Sequence, residues 1–162
     1  MPDAPFISSY YWRMLVLPTG QVLFTDGSQD VEIYTSGGSP DPSWAPAITD
    51  APTDVQAGMT YTLSGTQLNG LSQGAAYGDD AQSASNYPVV TLTNQATGDV
   101  FFARTHDHST MAVATGDAIV STSFDVPGNA EPGDSDLTVI VNGIPSASVT
   151  VTVSGSPVPT RR

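Results

Sequence analysis

Apolar and polar residues alternate along most of this chain, and the alternation is that of strands. No stretch of ten or more residues carries apolar positions at i, i+3, i+4 and i+7 free of Gly, Pro or β-branched clusters, so no long helix is expected. Trp12-Arg13-Met14-Leu15-Val16-Leu17 leads through Pro18-Thr19-Gly20 into Gln21-Val22-Leu23-Phe24-Thr25. Proline opening the turn and glycine where a positive φ is wanted predict a hairpin. Asp26-Gly27-Ser28-Gln29-Asp30 turns the chain again into Val31-Glu32-Ile33-Tyr34-Thr35, which completes a three-stranded meander. Residues 36–46, Ser-Gly-Gly-Ser-Pro-Asp-Pro-Ser-Trp-Ala-Pro, then break every regular pattern and mark a boundary between two units.

Strand signals recur at short spacing beyond that boundary: Ala47–Asp50, Thr60–Leu63, Val89–Thr93, Val100–Thr105, Ser121–Val126, Leu137–Asn142 and Ser148–Val153. Runs of this number and spacing predict a β-sandwich. Asn142-Gly143 reads as the link between the last two strands, with Ile144-Pro145 extending the loop. Gly65–Tyr87 is long, polar and rich in small residues, a length expected of a functional or disordered loop. The expected organisation is a meander over 1–36, a linker over 37–46, a sandwich over 47–154 and a flexible tail over 155–162.

Composition narrows the partners. The chain has 162 residues, room for one ordinary domain or one domain plus a fragment of another. Sixteen acids, fourteen of them Asp, face four arginines and no lysine, for a net charge of −12. That field works against nucleic acid and anionic membrane, and leaves cationic or neutral ligands open. No apolar run reaches the ~20 residues of a membrane span, and no basic stretch followed by an apolar core opens the chain. Without cysteine there is no disulfide, thiolate metal site or cysteine nucleophile. The Ser/Thr/Gly/Asn/Asp-rich, lysine-free composition is similar to that of secreted bacterial β proteins, so a secreted or cell-surface location is expected.

Arg104-Thr105-His106-Asp107-His108-Ser109-Thr110-Met111 holds both histidines of the chain. If residues 105–108 continue the preceding strand, His106 and His108 share a face and can share a metal, while Asp107 points away. Two imidazoles need a third ligand, which no spacing identifies. The competing reading is a polar strand end whose side chains hydrogen-bond the backbone. Tyr77-Gly78-Asp79-Asp80, with Asn86, and Asp134-Ser135-Asp136 are oxygen-rich candidates for calcium, although neither has the spacing of a known calcium loop and solvated turns explain both. Tyr10, Tyr11, Trp12 and Trp44 are candidates for a sugar-stacking platform; core or inter-unit packing is the expectation for Trp12 and Trp44, since one heads a strand and the other sits in the junction. No Gly-x-Ser-x-Gly, phosphate loop or dinucleotide fingerprint occurs.

Met14-Leu15-Val16-Leu17-Pro18-Thr19-Gly20-Gln21-Val22-Leu23, followed by Val31-Glu32-Ile33-Tyr34, resembles the final blade of the kelch-type propeller in the galactose oxidase and glyoxal oxidase group. Ala45-Pro46-Ala47-Ile48 through Val153 resembles the immunoglobulin-like, early-set domain that follows that propeller. The resemblance implies that Arg104-Thr105-His106 lies where a Thr-His pair lends a histidine to copper. In that family two tyrosines and two histidines hold the copper, with one tyrosine cross-linked to a cysteine. A Tyr-His pair stands eight residues before the hairpin proline; here Tyr10 takes that place and Tyr11 replaces the histidine. The ligand set within this chain is therefore incomplete.

These readings converge on an all-β chain, an immunoglobulin-like sandwich preceded by a blade-like antiparallel meander. The first expected function is a non-catalytic extracellular module of a galactose oxidase-like kelch protein, serving in structure and assembly. Its partners would be an upstream propeller, or further copies joined through the N-terminal sheet, because a lone blade leaves its faces and edges uncovered. The second is a carbohydrate-binding or adhesion module using Tyr77, Asp79, Asp80, Tyr87 and Tyr11. The third is a metalloprotein or oxidase fragment using His106, His108 and Tyr10, with copper ahead of zinc or calcium.

Overall fold

The computed structural model describes residues 11–26, 28–72, 87–114 and 116–156. Three short strands come first: β1 (Arg13–Val16), β2 (Val22–Thr25) and β3 (Val31–Tyr34), paired antiparallel in that order. The β1–β2 turn is built as its residues dictate. The Gly20 N–H donates to the Leu17 carbonyl at 2.9 Å, and Gly20 takes φ 80° to return the chain to the ladder. Between β2 and β3, Asp26 accepts the Ser28 N–H at 2.9 Å in an Asx turn, and the Ser28 side chain, followed by this backbone bond, holds the Asp26 carboxyl below its ordinary pKa.

Both faces of this small sheet are apolar. The register sets Met14, Val16, Val22, Phe24 and Tyr34 on one face with Glu32, and Leu15, Leu23, Val31 and Ile33 on the other with Arg13 and Thr25. Phe24 is buried and meets the Trp12 ring edge-on at 5.4 Å. Tyr34 at 63% and Ile33 at 48% exposure lie open, one on each face.

A 3-10 turn over Pro42–Trp44, capped by Asp41 accepting the Ser43 N–H at 2.9 Å, leads into the larger unit. Its strands are β4 (Ala47–Asp50), β5 (Asp54–Gln56), β6 (Thr60–Thr66), β7 (Val89–Asn94), β8 (Val100–His106), β9 (Ile119–Asp125), β10 (Gly133–Val141), β11 (Ile144–Pro145) and β12 (Val149–Ser154). They form one curled path, β4-β6-β9-β8-β7-β10-β12-β5, with β11 paired to β10. The curl is made by β8, which changes partners along its length: Val100–Ala103 pair with β7 and Arg104–His106 pair with β9. One layer is thus β4, β6, β9 and the end of β8, and the other is β7, β10 and β12 with the start of β8. In chain order this is the ABED and CFG arrangement of an immunoglobulin-type sandwich.

The core lies between the layers. Strict alternation on β10 buries Ser135, Leu137, Val139 and Val141 and turns Asp134, Asp136 and Thr138 outward. Leu63 and Phe124 face them from the other layer, and each such side chain contributes about 1.5–3 kcal/mol by leaving water. The Asn142-Gly143 turn has φ 50° and 76°, the two positive values a tight two-residue hairpin needs. Ile144-Pro145 are ladder residues, paired with Ile140 and Val141, where the sequence suggested a loop extension.

The meander strands fall within residues 1–36 and the remaining strands within 47–154. Two expectations need correction. The proposed long loop from Gly65 begins inside β6, and Leu68 and Asn69 beyond it are buried, with the Asn69 amide donating to the Thr110 carbonyl. Asp134 and Asp136 are strand residues, since β10 begins four residues before its apolar run. Trp44 stands at the junction of the two units, where it is 51% exposed.

Candidate functional site

The histidine segment sits where β8 crosses between layers. His106 is the last residue of β8 and pairs with Ser123 of β9. Its Nε2 donates to Asp125 Oδ1 at 3.0 Å and its Nδ1 to Asp107 Oδ2 at 2.9 Å. Asp125 stands opposite Arg104 on one side and Thr60 on the other, and the Thr60 hydroxyl donates to the same Oδ1 at 2.6 Å. With a carboxylate at each nitrogen the ring donates to both when it is protonated, and its pKa is raised first by the Asp125 hydrogen bond and then by that of Asp107. The Asp125 carboxyl is lowered in turn by Thr60 and then by His106.

Asp107 ends the strand with φ 50°, a left-handed conformation that Asp tolerates better than most residues. The face-sharing geometry expected for His106 and His108 therefore does not form. His108 turns to other partners: its Nδ1 shares a hydrogen bond with Thr122 Oγ1 at 2.9 Å, and its ring packs against Tyr87 at 5.6 Å. Burial, followed by the charge of His106, lowers its pKa.

A copper ligand needs a free lone pair on an imidazole nitrogen. Both His106 nitrogens face carboxylate oxygens within 3.0 Å, so this arrangement presents no open lone pair of the kind the copper set implied by the resemblance requires. Among the described residues, no group of three His, Asp or Glu side chains is placed to hold a metal. Asp134 accepts from Thr152 Oγ1 of β12 at 3.0 Å, and Asp136 accepts from Nε2 of Gln95, just beyond β7, at 2.8 Å. Tyr10, Tyr77, Asp79, Asp80 and Asn86 lie outside the described residues. Tyr11 is exposed just before β1, and Tyr87, also exposed, packs its ring against His108. Asp125 and Thr60 escaped the sequence reading because only strand pairing brings them to His106.

No protein-family model matches the chain, and no curated protein matches it. Among the solved structures that match is a crystal structure of a Bacteroides vulgatus ATCC 8482 protein, provisionally described as a bacterial DNA binding protein. It is 23% identical over 65% of this chain and 42% of that one, with a TM-score of 0.38. The match spans less than half of that protein and carries no functional argument. What the fold defines is a class: an all-β, sandwich-like protein preceded by a three-stranded antiparallel meander.

Proposed function

We propose that this chain is a non-catalytic, extracellular structural module in which the sandwich is a rigid support and the meander is a blade packed between neighbouring β-sheets. The observation that carries the reading is the meander's two apolar faces, with Met14 and Tyr34 open on one and Leu15, Val31 and Ile33 open on the other. A sheet at the surface of a single domain buries one face and leaves the other polar. A sheet apolar on both sides is stabilised only when something covers each side, as blades cover one another in a propeller. In the free chain, other copies supply that cover. The extracellular assignment draws on the Ser/Thr/Gly/Asn/Asp-rich, lysine-free composition. The engagement of both His106 nitrogens supports a non-catalytic reading at the segment that most invited a catalytic one.

Sedimentation from low to high micromolar concentration tests this. The wild type is expected to associate as concentration rises, and Ile33→Asp and Tyr34→Asp, one on each face, are each expected to weaken that association. A wild-type chain that stays monomeric at high micromolar concentration overturns the proposal.

A further inference from the structure

The meander and the sandwich do not close against each other completely. A hollow of about 450 Å³ lies between the β1–β2 turn, the linker and the β10–β11 turn, within the range of about 300–1,000 Å³ typical of ligand sites. A second hollow of about 230 Å³ shares Trp44, Asn142 and Ile144 with the first. Among the described residues no charged side chain lines either one, although the chain carries a net charge of −12. An uncharged lining selects a neutral ligand.

The chemistry of the lining is more specific than its charge. Trp44 contributes a large apolar ring, half exposed, with nothing stacked on it among the described residues. Around it stand hydroxyls and amides. Gln21 Nε2 donates to Thr35 Oγ1 at 2.9 Å and Thr19 Oγ1 donates to Gln21 Oε1 at 2.9 Å, which leaves the Thr35 hydroxyl proton and the second Gln21 N–H to serve a ligand. Asn142 lines both hollows, donates weakly to Ser72 Oγ at 3.4 Å, and keeps its buried side-chain oxygen without a donor among the described residues. An unsatisfied buried acceptor is costly, and it marks Asn142 as a side chain whose amide has not found all its partners among the described residues.

We propose that the junction is a binding site for a neutral saccharide, with Trp44 stacking on the apolar face of a sugar ring and Gln21, Thr35 and Asn142 exchanging hydrogen bonds with its hydroxyls. Two adjoining hollows that share one tryptophan suit a ligand of two or more linked sugars. A proline-rich peptide would need a row of aromatic rings, whereas here one ring stands among polar groups. The site forms within one chain, so it stands apart from the assembly proposed above.

Affinity electrophoresis at neutral pH in gels containing soluble β-glucan, galactomannan, xylan or chitosan-free glycol chitin tests the site. The wild type is expected to be retarded by at least one of them. Trp44→Ala should weaken that retardation at least tenfold, Asn142→Ala several-fold, and Trp44→Tyr should restore part of it by returning a ring. Phe102→Ala, an exposed aromatic on another part of the sandwich, should leave it unchanged. Thermal unfolding of each variant shows that it is folded. Absence of retardation in all four gels, retardation that survives Trp44→Ala, or binding of a polyproline peptide in place of any glycan overturns the proposal.

Discussion

Gly20 and Gly143 meet backbone to backbone. A methyl group on Gly143 would fall on the Cα of Gly20, 2.8 Å from the Gly20 nitrogen and 3.1 Å from the Leu17 carbonyl oxygen. Two turns from separate sheets touch here; Gly143 has no room for a side chain, and a methyl on Gly20 would stand a tight 3.3 Å from the Gly143 carbonyl oxygen. Gly143→Ala therefore meets two costs, a positive φ and an overlap with rigid backbone. Gly98 isolates the first, because it has φ 78° and open space around its Cβ position. Gly98→Ala is expected to lose about 1–2 kcal/mol. Gly143→Ala should lose at least ~1 kcal/mol more, since overpacking costs about 1–3 kcal/mol. Urea denaturation compares the two, and equal losses would mean that the turns are not held together in solution.

The two histidines should titrate on opposite sides of the ordinary value of 6.5, His106 above it and His108 below it. The bonds from His106 to Asp125 and Asp107 contribute stability fully below the unfolded-state value, and the contribution is lost as pH rises through the raised folded value. His108 acts in the other direction, favouring the fold while neutral and opposing it as pH falls below its unfolded value. Asp125, lowered from 3.8, contributes above that value and loses its contribution as pH falls through the folded one. Carbon-detected NMR of the imidazoles resolves both titrations, and coincident or reversed midpoints would rule out this arrangement. His106→Gln should cost more stability at pH 6 than at pH 9.

Much of the fold was legible because alternation is a local signal. Leu137-x-Val139-x-Val141 and Val149-x-Val151-x-Val153 announce strands whatever lies beside them. Asp54–Gln56 offers one apolar residue, Val55, in three, and is a strand because β12 holds it in parallel register. Gly133-Asp134-Ser135-Asp136 has the residues of a turn, yet it lies between β7 and β12 and its serine is buried. The histidine site was half legible. The segment could be found from its residue types, but whether His106 and His108 share a face turns on the single left-handed residue Asp107. The partner of His106, Asp125, stands 19 positions away and arrives only through the β8–β9 pairing.

Phe124 is fully buried and packs against Tyr61 with ring centroids 6.1 Å apart. Phe124→Ala should cost about 3–5 kcal/mol, from the lost transfer energy and the cavity left between the layers. That is a large part of the ~5–15 kcal/mol holding a typical domain together. Phe124→Leu keeps most of the volume and should cost less than half as much. Phe102→Ala, at a site 56% exposed, should change stability by no more than about 0.5 kcal/mol. Denaturant midpoints measure all three, and a Phe102→Ala loss approaching that of Phe124→Ala would contradict the assignment of inner and outer faces.

Hydrogen exchange offers a separate view of the meander. Its three four-residue strands bury few side chains, and Phe24 is its one buried apolar residue among those described, whereas β10 is flanked by β7 and β12 and buries every second residue. Amides of β7 and β10 should therefore exchange only through global unfolding, and those of β1 to β3 through local opening at much lower free energy. If neighbouring copies cover the apolar faces, protection of Val22–Thr25 and Val31–Tyr34 should rise with protein concentration while that of β10 stays constant. Mass action requires this, because association stabilises only the closed form that associates. Meander protection that is independent of concentration would separate the meander from any self-assembly, and the apolar faces would then need a different occupant.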